Sequence, residues 1–89
     1  MTDIVKRRGY KQQFDEHKLY ASIYAACLSS HIDKEEAASI ASLVLKEIKK
    51  WIDDKEEVTS DAIFKLAGEK LEHLNKDAAL MYTTHRDIS

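Results

Sequence analysis

Residues 3–14 read DIVKRRGYKQQF, and the reading of this stretch decides the fold. Two short runs, residues 3–7 and 10–14, flank Arg8-Gly9, where glycine permits the positive φ that a tight turn needs. Ile4, Val5, Tyr10 and Phe14 add the β-branched and aromatic character of strands. The pattern predicts a β-hairpin. A lone two-stranded hairpin is barely stable in water, so it must lie on something.

That something is helical. Asp15 is placed to cap a first helix, in which Leu19, Ile23 and Cys27 share one face and Ser29-Ser30-His31 marks the stop. Asp33 with Glu36 forms a capping box. Beyond it Ala37, Ile40, Ala41, Val44, Leu45, Ile48 and Ile52 recur at helical spacing, and Lys46, Lys49 and Lys50 fall late, toward the negative end of the helix dipole. The polar run at 53–57, DDKEE, breaks the pattern as a solvated turn, and Val58-Thr59 is expected to add a short third strand. Thr59 or Ser60 then caps a third helix with Ile63, Leu66, Ala67, Leu71 and Leu74 inward. Gly68 inside that helix costs about 1 kcal/mol relative to Ala, which points to close packing there. Asn75 is the joint, and Asp77 opens a fourth helix running through Leu80 and Met81 to about His85. The expectation is one α+β domain over residues 1–89, with a small N-terminal hairpin on a four-helix core.

Composition narrows the function. A chain of 89 residues buries roughly 60–65% of its unfolded surface, enough for one core but not for a deep cleft. Apolar residues make up 44% and charged residues 34%, and proline is absent, a mix that suits a helix-rich globule. Five of the fourteen Lys and Arg fall within residues 6–18, in a chain whose net charge is −2. Charges gathered so closely repel one another, and a bound anion, an acidic surface or solvent must offset that.

Other chemistry finds little footing. Cys27 is the single cysteine, which excludes an internal disulfide, and its apolar setting predicts a buried thiol. His17, His31, His73 and His85 lack metal-ligand spacing, and 53–57 lacks the central glycine of a calcium loop. No nucleophile–base pair and no phosphate-cradling glycine loop stands out, so neither a catalytic nor a metal site is expected. No apolar run has the length of a membrane span and the start has no signal-peptide centre, so the expected location is the cytoplasm, without a membrane partner.

Taken in order, the pieces have a familiar arrangement: VKRRG, then Phe14-Asp15 with Lys18-Leu19, then EVTSDAI at 57–63, then Tyr82 with Arg86. The set resembles the ATP-cone, the nucleotide-binding regulatory domain of ribonucleotide reductases and related regulators, over essentially the whole chain. Two positions depart from the family pattern. Arg8 stands where Asp or Asn usually precedes the glycine, and Gln12 where Glu is frequent. Both changes make the region more basic, and Gln both donates and accepts, so adenine is still readable.

The resemblance implies a module that binds ATP or dATP as an effector, with Mg²⁺ as an optional companion, and does not hydrolyse it. It implies that Ile4 and Val5 cover the adenine, that Gln12 takes part in reading base or ribose, and that Lys6 and Arg7 reach ribose and phosphates. Lys18 adds a charge at a helix start, Thr59 a hydroxyl at a capped helix, and Arg86 closes over the phosphates. Regulation would act on a partner protein, on a second copy or on a parent enzyme such as ribonucleotide reductase. The alternative is a protein-interaction module that kept the fold and lost the nucleotide. One family member, a bacterial repressor of reductase genes, carries a zinc ribbon before the cone. This chain has one cysteine and begins at the hairpin, whose basic patch is small, so nucleic acid is expected to be an unlikely partner.

Overall fold

The computed structural model describes residues 3–5 and 11–84. They form β1 (Asp3–Val5), β2 (Lys11–Gln13), α1 (Glu16–Ser29), α2 (Lys34–Ile52), β3 (Glu57–Thr59), α3 (Ser60–Leu74) and α4 (Lys76–Thr84). The protein is mostly helical, four helices with short strands, in keeping with an α+β class. The expected turn at Arg8-Gly9, with Lys6, Arg7 and Tyr10, lies outside the described residues, as do His85 and Arg86.

Each helix starts where a short polar side chain accepts one of the orphan N–H groups of the first turn. Asp15 accepts from the Lys18 N–H at 3.1 Å, and Asp33 from the Glu36 N–H at 2.9 Å. Thr59 accepts from the Ala62 N–H at 3.0 Å, and Asn75 from the Ala78 N–H at 2.9 Å. The last of these starts α4 at Lys76, one residue earlier than the sequence suggests, because Asn75 is both the joint and the cap.

α1 ends in a left-handed residue, His31, at φ 66°. The Ile32 N–H donates to the Cys27 carbonyl at 3.1 Å and the His31 N–H to that of Leu28 at 3.0 Å. This paired closure satisfies carbonyls the helix would leave bare, and it turns Ile32 back onto the core beside Cys27. Cys27 has no exposed surface, and its pKa is raised, first by burial and second by the nearby Glu36 carboxylate.

The expected stripe on α2 is the spine of the core. Ala37, Ala41, Val44, Ile48 and Ile52 are buried, while Ile40 and Leu45 at the stripe's edges are half-buried. Against it lie Leu19 and Ile23 of α1 and Leu71 of α3. α4 closes on α3 and α1, with Ala78, Ala79 and Tyr82 inward. Gly68 lets α3 and α4 pack closely: a Cβ there would sit 3.3 Å from the Thr83 Cγ2.

The strands form one sheet in the order β2-β1-β3. β1 runs antiparallel to β2, with Ile4 opposite Gln12, and parallel to β3, with Ile4 opposite Val58. Ile4 and Val58 are both buried and enter the same core as the helices, which holds the small sheet on the bundle.

A glycine at position 31 removes the Cβ strain of the left-handed conformation and gives back part of the gain as chain entropy. His31→Gly is expected to stabilise the protein by about 0.5–1 kcal/mol, read as a higher denaturant midpoint with an unchanged slope. His31→Val, with a branched side chain at the same φ, should shift the midpoint the other way.

Candidate functional site

The site suggested by the sequence draws on the first strand, Gln12 of the second strand, the first turn of α1, the entry to α3 and Arg86 beyond α4. The structure brings the first strand and the entry to α3 together. β1 and β3 are in parallel register, so Val5 lies opposite Thr59, one residue beyond the buried Ile4–Val58 pair. Thr59 ends β3 and caps α3, so the chain passes from strand to helix without a loop. The exposed terminus of α3, with its positive dipole end, therefore opens beside the end of β1.

Thr59 is exposed. Its oxygen accepts the Ala62 N–H, and a hydroxyl that accepts still keeps its own hydrogen to donate to an outside oxygen. Ile4 is 4% exposed and packs into the core, so what it can present to a ligand is backbone. Val5 and Gln12 belong to β1 and β2.

Lys18 enters from the other edge of the sheet. β2 leads through Phe14 and Asp15 into α1, where Lys18 is the third residue and exposed. β2 runs against β1 and β3 runs with it, so α1 and α3 begin at opposite ends of a three-residue sheet. The start of α1 therefore follows the strand partner of Asp3, and the start of α3 follows the strand partner of Val5. Lys6, Arg7 and Arg86 of the expected set lie outside the described residues.

Two features at this end are not apparent from sequence pattern. Lys49 of α2 forms an ion pair with Glu16 at 3.1 Å, tying the start of α1 to the last turns of α2. The 53–57 turn, expected to be simply solvated, is held by Lys55. Its ammonium lies 4.5 Å from the Trp51 ring centre and donates to the Trp51 carbonyl at 2.9 Å. The signal was present as an aromatic and a lysine four residues apart across a helix end, a spacing that puts the two side chains together.

Tyr82, part of the closing motif, has a structural place. It is 8% exposed and stacks on Phe64 of α3 at 5.1 Å between ring centres. Burial pushes its phenol pKa up to about 12.

Thr59→Ala removes the α3 cap and is expected to cost about 1 kcal/mol in unfolding free energy, with Thr59→Ser recovering most of it. The phenol of Tyr82 sets a limit at high pH. Its pKa is raised in the folded protein, so its contribution is intact below the ordinary value near 10 and is lost as pH rises toward about 12. Across that window the wild type should lose about 2–3 kcal/mol more than Tyr82→Phe in paired denaturation curves.

The sequence profile of the ATP cone domain matches residues 2–89. The chain is 31% identical over 90 residues to the transcriptional repressor NrdR of Carboxydothermus hydrogenoformans, an alignment covering 97% of this chain and 57% of that protein. It is 30% identical over 81 residues to the transcriptional repressor NrdR of Dictyoglomus turgidum, covering 91% of this chain and 53% of that protein. The chain thus spans a little over half the length of these relatives. No solved structure matches it significantly. The relatives correct the expectation that nucleic acid is an unlikely partner, because a transcriptional repressor acts at DNA. That expectation weighed the single cysteine and the small basic hairpin of this chain, whereas these relatives are nearly twice as long. By the match over nearly all of its length, the chain belongs to the ATP-cone family.

Proposed function

We propose that this chain is the nucleotide-sensing module of a transcriptional regulator, binding ATP or dATP without hydrolysing it. The observation that carries the reading is the register of β1 on β3, with Val5 opposite Thr59 at the open terminus of α3. A nucleotide lying across β1 would meet the strand's backbone, the Thr59 hydroxyl with the first-turn N–H groups of α3, and the Lys18 ammonium from the opposite edge. Lys6 and Arg7 follow Val5 directly in the chain, and Arg86 follows α4 by two residues, so each is one short step from a described element. On this reading they complete the cradle for the phosphates, Gln12 helps to read the base or ribose, and Mg²⁺ accompanies the phosphates where present.

The regulated output on this reading is transcription, in place of direct action on a reductase or another parent enzyme, and the named relatives support that choice. On this reading residues 1–89 act as one unit, which the shared buried cluster of the described strands and helices supports. A nucleotide changes the output only if two states of the module bind it with different affinity. In this scheme nucleotide orders the hairpin against the helices, where Ile4 of β1 joins the core.

The test is thermal unfolding with ATP, dATP, GTP and no ligand. A nucleotide at about 100 times its Kd adds about 2.7 kcal/mol of stability, and in a chain this small that raises Tm by roughly 10 °C or more. Lys18→Ala, which leaves the α1 cap in place, should weaken binding about tenfold or more, and Lys6→Ala with Lys18→Ala should abolish the rise. No rise with any nucleotide would turn the reading to a protein-interaction module.

A further inference from the structure

α2 carries a second basic feature, away from the strands. Ser42, Leu45, Lys46, Lys49, Lys50 and Asp53 line an open groove of about 420 Å³ along one face of the helix. The helix dipole accounts for Lys49 and Lys50 in the last turn, but its influence fades within a turn, and Lys46 lies beyond that. Among the described residues Lys46 has no ion-pair partner, and Glu47, its neighbour in the chain, is held by Lys70 at 2.9 Å. Lys49 is shared with Glu16, but that pair is about half exposed on both sides, so it exchanges at little cost. Lys46 and Lys50 sit one turn apart on the same face, about 5–6 Å between Cβ atoms.

We propose that this lysine-lined face of α2 docks on the phosphate backbone of duplex DNA. The inference rests on the transcriptional reading given above. Charge complementarity names the occupant: three ammonium groups against the one carboxylate of Asp53 line an open helix face, which fits a line of phosphates better than a compact ligand. The residue type is informative as well. Lysine is a mobile point charge with no fixed fork, suited to phosphate and not to bidentate reading of a base edge. The contact therefore positions the module on DNA and carries no sequence preference of its own. Half-buried Leu45 also lines the groove, an apolar surface along which lysine stems can lie while their heads reach outward.

The full chain is titrated against a labelled duplex by fluorescence anisotropy, from about 50 to 200 mM salt. Lys46→Gln, Lys49→Gln and Lys50→Gln together keep good helix formers in place, and circular dichroism checks the fold. A control triple, Lys34→Gln, Lys65→Gln and Lys76→Gln, makes the same change in net charge at exposed positions off the groove. The expected result is wild-type binding whose logarithmic salt slope falls by about 2.7 in the groove triple, three contacts at about 0.9 each, and barely in the control. The thermal shift with ATP should be the same in the wild type and both triples. No DNA binding by the wild type, or equal losses in the two triples, overturns the proposal and leaves the nucleotide reading standing. A groove triple that keeps its DNA affinity but changes mass in light scattering also overturns it, and makes the groove a protein contact. A groove triple that keeps its DNA affinity but loses the ATP shift assigns the groove to nucleotide instead.

Discussion

The pairing of Ile4 with Val58 is the constraint on which the rest of the structure depends. Each strand has three residues, too few to hold a sheet together by hydrogen bonds alone, and the helices are individually short. What joins them is that this one cross-strand pair is buried in the cluster that also contains Leu19, Ile23, Val44, Ile48 and Leu71. Two backbone segments more than fifty positions apart in the chain are thereby held side by side. The candidate site is a by-product of that register. With Ile4 opposite Val58, the next pair is Val5 with Thr59, and Thr59 is where strand becomes helix.

The helices impose a second constraint. α2 is the longest, and its buried stripe of alanine, valine and isoleucine lets α1 and α3 pack on it. That leaves its remaining faces to polar chemistry. One meets Lys70 of α3 through Glu47, another meets Glu16 of α1 through Lys49, and the lysine groove is part of the same exposed side. A single helix thus serves as the core's spine and carries a lysine-lined groove on its exposed side.

Much of the local architecture was legible in the sequence because it is decided locally. Asp15, Asp33 and Thr59 cap helices as expected, since a cap needs only a short polar side chain three residues ahead of the N–H it accepts. Gly68 was readable as a close approach because a helix tolerates such a residue poorly without a packing reason. The register of β3 was not legible: Val58-Thr59 reads as strand, but nothing local says which neighbour it takes or in which direction. Lys49 read as a dipole partner and proved to be tied to Glu16 as well, a contact that exists only once α1 and α2 are packed. Of the candidate site, Thr59 and Lys18 were suggested by motif, and the fold places Thr59 at the α3 cap and Lys18 in the first turn of α1. The ties of Lys55 to Trp51 are local and were signalled by their four-residue spacing.

The near-contact of Gly68 with Thr83 bears on how the end of α4 is governed. Thr83 sits in the final turn of α4, its hydroxyl bonded back to the Ala79 carbonyl at 3.1 Å, so its methyl group has little room to withdraw. The depth to which α4 nests on α3 is therefore metered by the absence of a single carbon atom. A bulkier residue at 68 would push the last turn of α4 away from α3, although nothing near the sheet had been altered.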